Sequence, residues 1–309
     1  VKHVVSLSLG TSLRNKTLET QILGEDFKIE RIGYDGDMKA YAQAFKDYDG
    51  KVDALGVGGA DVYLWLAGRK YAFKEILNIV KQVKITPVVD GSGLKHSLER
   101  ETVKSLQADG VVDFAHSRVL VVSAVDRFGM SEALEETGAK VTYGDLLFGI
   151  GVDIPLRKYT SVKSFGKVML PVITQLPFKW FYPTGKQQEI RKPKFAHEFK
   201  NADVIAGDWH YIHRYMPDSL PGKTILTQTL RFADLEFLTN AKVARAITTT
   251  PMMGGETFAT NVMEAVIVAH LGRKPEDLNE NDYLKVLKEL DWKPNVIPLG
   301  EAVSVPSPS

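Results

Sequence analysis

Short apolar runs alternate with stretches of helical spacing along nearly all of this 309-residue chain, and that alternation narrows the choice of fold more than any other feature. "HVVSLSLG" is apolar and stops at Gly10, and "FKIERIG" alternates with a period of two, so both predict strands. "DMKAYAQAFKDY" puts Met38, Tyr41, Ala42 and Phe45 at helical spacing behind Asp37 as a cap. A buried strand in "VDALGVGGAD" follows, then two short runs hinged at Gly68 that predict a hairpin, a helix in "KEILNIVKQV", a strand in "TPVVDG" and a helix in "GLKHSLERETVKSLQ". After Gly110 a second series begins with "RVLVVSA", a helix around "MSEALEETG" and "KVTYGD". It continues with the strands "ADVIAGD", "KTILTQT" and "ARAITTTP", and the helix "FADLEFLTN" sits between the last two.

Strands separated by helices build mainly parallel sheets covered on both faces. The expectation is an α/β protein of two Rossmann-like domains with a cleft between them. Residues 1–115 read as a substrate domain and residues 116–275 as a nucleotide-binding domain with an aromatic insertion near 160–190. Residues 276–309 read as a C-terminal helix and tail. Trp180, Phe181 and Tyr182 in the insertion suit a domain cover or dimer contact as well as a substrate-side role.

Charge and composition then remove whole classes of function. Lys plus Arg number 39 against 38 Asp plus Glu, which leaves no phosphate-backbone footprint and makes nucleic acid an unexpected partner. With no cysteine, disulfides, thiolate nucleophiles, iron–sulfur clusters and thiolate zinc sites are all excluded. No apolar run reaches ~18 residues, the length expected of a membrane span, and the N-terminus does not read as a signal peptide. The sequence therefore predicts a soluble cytoplasmic protein with a small-molecule ligand, no membrane partner and a possible homodimer.

Polar residues cluster where the strands end. The segment from Arg118 to Leu147 has the order of a dinucleotide-binding unit, but only Gly129 remains of the glycines that let a backbone approach a pyrophosphate. Ser123, Asp126, Arg127 and Gly129 are the candidates around that turn. Asp145, about 20 residues further on, is placed to accept from a ribose hydroxyl. The alternative is an ordinary strand-to-helix connection with Asp145 as a loop acid. Asp208, Thr249 and Thr250 join the cofactor candidates; Thr249, Thr250 and the Gly254-Gly255 pair fall at a strand's carboxyl edge, which suits a ligand or a flexible connection.

"PVVDGSGLKHSLER" places Asp90, Ser92 and Lys95 in one strand–turn–helix, where an anion site or an acid–base pair is expected, or simply a capped turn and a solvated lysine. Asp61 follows a strand in a similar way. "GDWHYIHRYMPD" offers His210 and Arg214 for a substrate, since Arg forks suit carboxylates; its His-x-x-His pair would need a third ligand for zinc, with Asp208 the only local candidate, and no metal is expected. Ser6 and Ser8 supply hydroxyls for a polyol.

The blocks "VSLSLG", "VDALGVGGADVYLWLAGRKY", "TPVVDGSGLKHSLER", "LVVSAVDRFG", "YPTGKQQE", "GDWHYIHRYMPD" and "TTTPMMGG" together resemble bacterial proteins labelled quinate 5-dehydrogenase. The resemblance runs over nearly the whole chain. It implies NAD(P)-dependent oxidation of a small hydroxylated carboxylate such as quinate, with NAD, or NADP, as cofactor. Lys95 would be the proton acceptor, Asp90 would orient it, and Ser6, Ser8, Ser92, His210 and Arg214 would hold the substrate. Two other expectations stand beside it: a nucleotide- or metabolite-binding protein without turnover, and a transferase or isomerase of a phosphorylated small molecule.

Overall fold

The computed structural model describes residues 1–178, 190–250, 252–253 and 256–300. Trp180, Phe181, Tyr182 and the Gly254-Gly255 pair lie outside the described residues. The chain begins with β1 (Lys2–Ser8), β2 (Lys16–Ile22), β3 (Glu25–Gly33), α1 (Met38–Tyr48) and β4 (Ala54–Gly58). It continues through β5 (Tyr63–Leu66), β6 (Arg69–Ala72), α2 (Lys74–Val80), β7 (Val88–Val89) and α3 (Ser92–Ala108). The strand order β2-β3-β1-β4-β7 is parallel except for β2, which runs antiparallel to β3. All five residues of β4 are buried, as expected of a parallel strand covered on both faces. Asp37 caps α1 by accepting from the N–H groups of Lys39 and Ala40, and the helix buries Tyr41, Ala44 and Phe45. The turn between β5 and β6 takes positive φ at both Ala67 and Gly68, the twist a two-residue hairpin favours.

The second lobe runs β8 (Arg118–Val121), α4 (Phe128–Thr137), β9 (Lys140–Tyr143), a π-helical turn at Asp145–Ile150, α5 (Tyr159–Ile173) and α6 (Ala196–Asn201). Then come β10 (Val204–Ala206), α7 (Trp209–Tyr215), β11 (Thr224–Thr227), α8 (Phe232–Asn240), β12 (Arg245–Thr248) and a short ribbon of β13 (Met252–Met253) and β14 (Glu256–Thr257). The described chain ends with α9 (Thr260–Leu271), α10 (Glu280–Glu289) and β15 (Asn295–Pro298). The second sheet has the order β15-β12-β11-β10-β8-β9 and is parallel except for β15. The protein is thus α/β with two mainly parallel sheets.

Two boundaries differ from expectation. Helix α9, assigned by sequence to the second domain, crosses back and packs on β1 and β4. It is buried on every side from Thr260 to Ala269, because it fills the space against Val4, Phe27, Ile29 and Val89 of the first sheet. Helix α10 then packs on α3, and β15 returns to pair with β12, so the C-terminal segment serves both lobes. The expected insertion also opens as a regular helix: α5 buries Val162 and Leu170, and Gly166 lies so close to Leu66 that a Cβ would sit 2.5 Å from its methyl carbon.

The lobes meet along α3 and α4. A Cβ on Gly129 would come within 2.6 Å of the His96 carbonyl oxygen, so this glycine permits helix contact. Arg100 of α3 bridges Glu132 and Glu136 of α4 at 2.9 and 2.8 Å. Among the described residues no helix is long and apolar enough to cross a membrane.

Candidate ligand-binding cleft

The carboxyl ends of both parallel sheets open onto one cavity of about 1130 Å³, the place where open α/β sheets present their loops to a ligand. The first lobe contributes Ser6 and Ser8 at the end of β1, Arg31 on β3, Asp61 beyond β4, Asp90 after β7 and Lys95 in the first turn of α3. The second contributes Asp126 and Arg127 after β8, Asp208 after β10, His210 and Arg214 on α7, and Arg231 after β11. Asn261 at the start of α9 completes the first-lobe wall.

One side of the cavity is an ion-pair network joining the lobes. Lys95 Nζ donates to Asp126 Oδ1 at 2.6 Å, and Arg127 pairs with Glu99 at 2.5 Å and Asp208 at 3.1 Å. Burial lowers the Arg127 pKa, but the carboxylates of Glu99, Asp126 and Asp208 outweigh it and hold the guanidinium above its ordinary value. For Lys95, burial and then Arg127 press down, while Asp126, Asp61 and Glu99 prevail and keep it above the usual lysine value. Asp61 is pushed up to about 7, mainly by burial, with Lys95 opposing and Asp126 and Asp90 adding to the rise.

The other side is cationic. Arg31 donates from Nη1 to the Thr11 carbonyl at 3.1 Å and from Nη2 to Ser8 Oγ at 3.0 Å. Burial first, then Arg14 and Arg231, lower it to about 10 against the pull of Asp35. His210 is lowered by burial, with Arg14 and Arg231 adding to the fall and Asp208 opposing it.

Several residues singled out in the sequence thus share one cavity: Ser6, Ser8, Asp61, Asp90, Lys95, Asp126, Arg127, Asp208, His210 and Arg214. Their roles differ from the expected ones. Lys95 is an ammonium bound to Asp126, the wrong state for a proton acceptor, and Asp90 does not orient it. Asp90 instead accepts from the N–H groups of Val62 (2.7 Å), Tyr63 (2.8 Å) and Ser92 (3.0 Å). Ser92 lies outside the main cavity, against a depression of about 30 Å³ beside Lys95 and Gly129. The anion site expected before α3 is filled from within: the Glu264 carboxyl group sits over Gly93, where a Cβ would be 2.3 Å from Oε1, and accepts from the Tyr283 hydroxyl at 2.8 Å.

The expected dinucleotide turn is closed in the same manner. Asp145 accepts from the N–H groups of Ala124 at 3.1 Å and Val125 at 2.9 Å, the amides a pyrophosphate would need. Burial lifts the Asp145 carboxyl to about 6, against those two bonds. Arg127 turns inward to Glu99, Gly129 is covered by His96, and Ser123 does not line the cavity. Thr249 and Thr250 are fully buried; their carbonyls accept from Trp292 Nε1 and Asn295 Nδ2, which ties β12 to the C-terminal segment. His213 packs on Trp209 and Phe237, and among the described residues no group of side chains forms a metal site.

Sequence reasoning missed Arg14, Arg31, Arg231 and Asn261. Arg31 carried a usable signal, a charge within a strand of a sheet expected to be covered on both faces.

Over the fold, the chain is similar to an arabinose-binding protein from Geobacillus stearothermophilus (9% identity, 96% of each chain, TM-score 0.42). It is also similar to an ABC-transporter solute-binding protein from Burkholderia multivorans (12% identity, 90% of this chain and 97% of that chain, TM-score 0.39). A third similar structure is a periplasmic solute-binding protein from Actinobacillus succinogenes with bound D-allose (10% identity, 97% of this chain and 98% of that chain, TM-score 0.37). With Asp145 seated on the Ala124 and Val125 amides, the turn expected to grip a pyrophosphate is already filled, and the expectation of an NAD-dependent oxidoreductase is corrected on that geometry. No curated protein matches the sequence. Residues 3–90 match the family model described as domain of unknown function DUF8753. Residues 93–299, more than half of the chain, match that described as domain of unknown function DUF8754, and the chain belongs to the DUF8754 family.

Proposed function

We propose that this protein binds a small hydroxylated metabolite in the cleft between its lobes without transforming it. The observation that carries this reading is the cavity itself: strand ends of both sheets direct polar side chains into one space of about 1130 Å³, a little above the ~300–1,000 Å³ typical of small-molecule sites. The lysine and aspartate expected to act as an acid–base pair are engaged by the protein instead. Lys95 is held by Asp126, and Asp90 by three backbone N–H groups. The transferase or isomerase alternative loses its phosphate cradle to Asp90 and Glu264.

Trp209 lines the cavity, so its fluorescence reports occupancy. Titration with polyols, aldonates and sugar phosphates is expected to give a saturable change, with a thermal upshift corresponding to about 2.7 kcal/mol at a hundredfold excess over Kd. Trp209→Phe should lose the optical signal and keep the thermal one. If no compound of these three classes shifts the melting curve at millimolar concentration, the reading fails.

A further inference from the structure

Where β1 and β3 end, the cleft is rich in groups that donate. Strands β1 and β3 pair in parallel with Ser6 opposite Arg31, and Ser6 and Ser8, two residues apart, face the same side. Both serines are 2% exposed, yet both line the cavity. Ser6 Oγ accepts from Asn261 Nδ2 at 2.6 Å. Ser8 Oγ accepts from Arg31 Nη2 at 3.0 Å and from the Gly10 N–H at 3.1 Å. A hydroxyl used as an acceptor still has its one proton to give, so each serine offers an O–H to whatever occupies the cleft.

Positive charge gathers at the same end. Arg31 lies near enough to Arg14 and Arg231 for each to act on its titration, and Arg231 reaches the site from the other lobe while Asp234 holds it at 3.0 Å. Lys16 stands 4.5 Å from the ring of Phe258, just before α9. The first turn of α9 also opens here: its cap residue, Ala259, has no side-chain oxygen, so the positive end of the helix dipole adds to the field. A neutral sugar hydroxyl carries a proton of its own and matches such a set poorly, whereas an oxyanion only accepts.

We propose that Arg31, Ser6, Ser8 and the start of α9 form an oxyanion site, so that the cleft's ligand is a hydroxylated molecule bearing a carboxylate or a phosphate monoester. This rests on the reading of the cleft as a small-molecule site and names the ligand's charged end. The anion is received at β1, β3 and the start of α9, which packs on Gly91, and not by the turn before α3 or the β8–α4 turn themselves.

The test is calorimetric titration of the whole protein with glucose, gluconate and glucose 6-phosphate. At least one charged probe is expected to bind about 100-fold more tightly than glucose, and Arg31→Met should erase about that factor, with glucose affinity changed less than about 3-fold. Arg31→Lys keeps the charge without the fork and should lose about 10-fold, which decides the matter if the methionine variant does not fold. A phosphate source shows affinity rising relative to gluconate through pH ~6 as its second proton leaves, the comparison cancelling the titration of Asp61 in the same cavity, while a carboxylate source shows no such relative gain. Equal affinity for neutral and charged probes, or a preference that survives Arg31→Met, overturns the oxyanion site and leaves the cleft reading standing. Failure of all three probes to bind overturns both.

Discussion

The mouth of β8 and the mouth of β1 are both strand ends facing one cleft, yet they are chemically opposite. At β8 the amides of Ala124 and Val125 are taken by Asp145, and Arg127 is drawn inward by Glu99. At β1 Ser8 accepts from Arg31 and Ser6 from Asn261, and all of them line the cavity. The same holds across the first lobe, where the glycine-flanked turn before α3 is occupied by Asp90 and Glu264. A turn that looks built for an external anion instead seats a carboxyl group of the chain itself. Which of the two it seats depends on whether a carboxylate from elsewhere in the chain arrives first.

The largest effect should come from Arg127→Ala. The arginine side chain is 3% exposed and its partner Glu99 is 1% exposed, so the substitution leaves a buried carboxylate without its cation. Loss of about 3–5 kcal/mol by urea denaturation is expected. A loss near zero would mean the β8 mouth is not an internally closed site, and the contrast with β1 would break. Asp145→Ala should cost about 1–3 kcal/mol by the same measurement, because two buried N–H groups lose their acceptor. A stabilised variant would show that Asp145 is strained there rather than serving the turn.

The smallest effect at neutral pH belongs to Glu264→Gln. Burial first, then Asp90, raises the Glu264 carboxyl from 4.5 to about 8, with the Tyr283 hydroxyl and the Gly91 and Gly93 amides opposing. Folded protein therefore keeps a proton that the unfolded chain releases above pH 4.5. The stability this group contributes is full below pH 4.5, declines as pH rises, and is gone above about 8. The variant should cost under about 1 kcal/mol at neutral pH and show a shallower fall of stability across that window. An unchanged slope would remove Glu264 from the titrating groups and weaken the claim that the α3 mouth is filled by a carboxyl group.

Much of the architecture was legible because strand and helix periodicities are local. The runs leading to β1, β4, β7, β8, β10, β11 and β12 are each apolar over a few residues and end in glycine, acid or threonine. The edge strand β2 was missed, since "KTLETQI" alternates exposed and half-buried residues and is largely polar. The return of α9 to the first sheet was also hidden, because an all-round apolar helix states that it is buried and not against what. At the site, Lys95 and Asp90 were paired by proximity in sequence, whereas the partner of Lys95 is Asp126 on the other lobe.

The sequence by itself determined an α/β chain with two runs of parallel strands and the strand-end loops where polar side chains collect, because apolar spacing over a few residues sets which backbone segments pair and which faces are buried. Only the tertiary structure decided which of those loops still has donors to offer. That choice depends on carboxylates arriving from distant segments: Asp145 onto the amides after β8, Glu264 of α9 onto the start of α3, and none onto Ser6 and Ser8 of β1, where Asn261 and Arg31 arrive instead. A buried polar group must be paired wherever its partner lies in the chain, and that pairing is a property of the packed molecule.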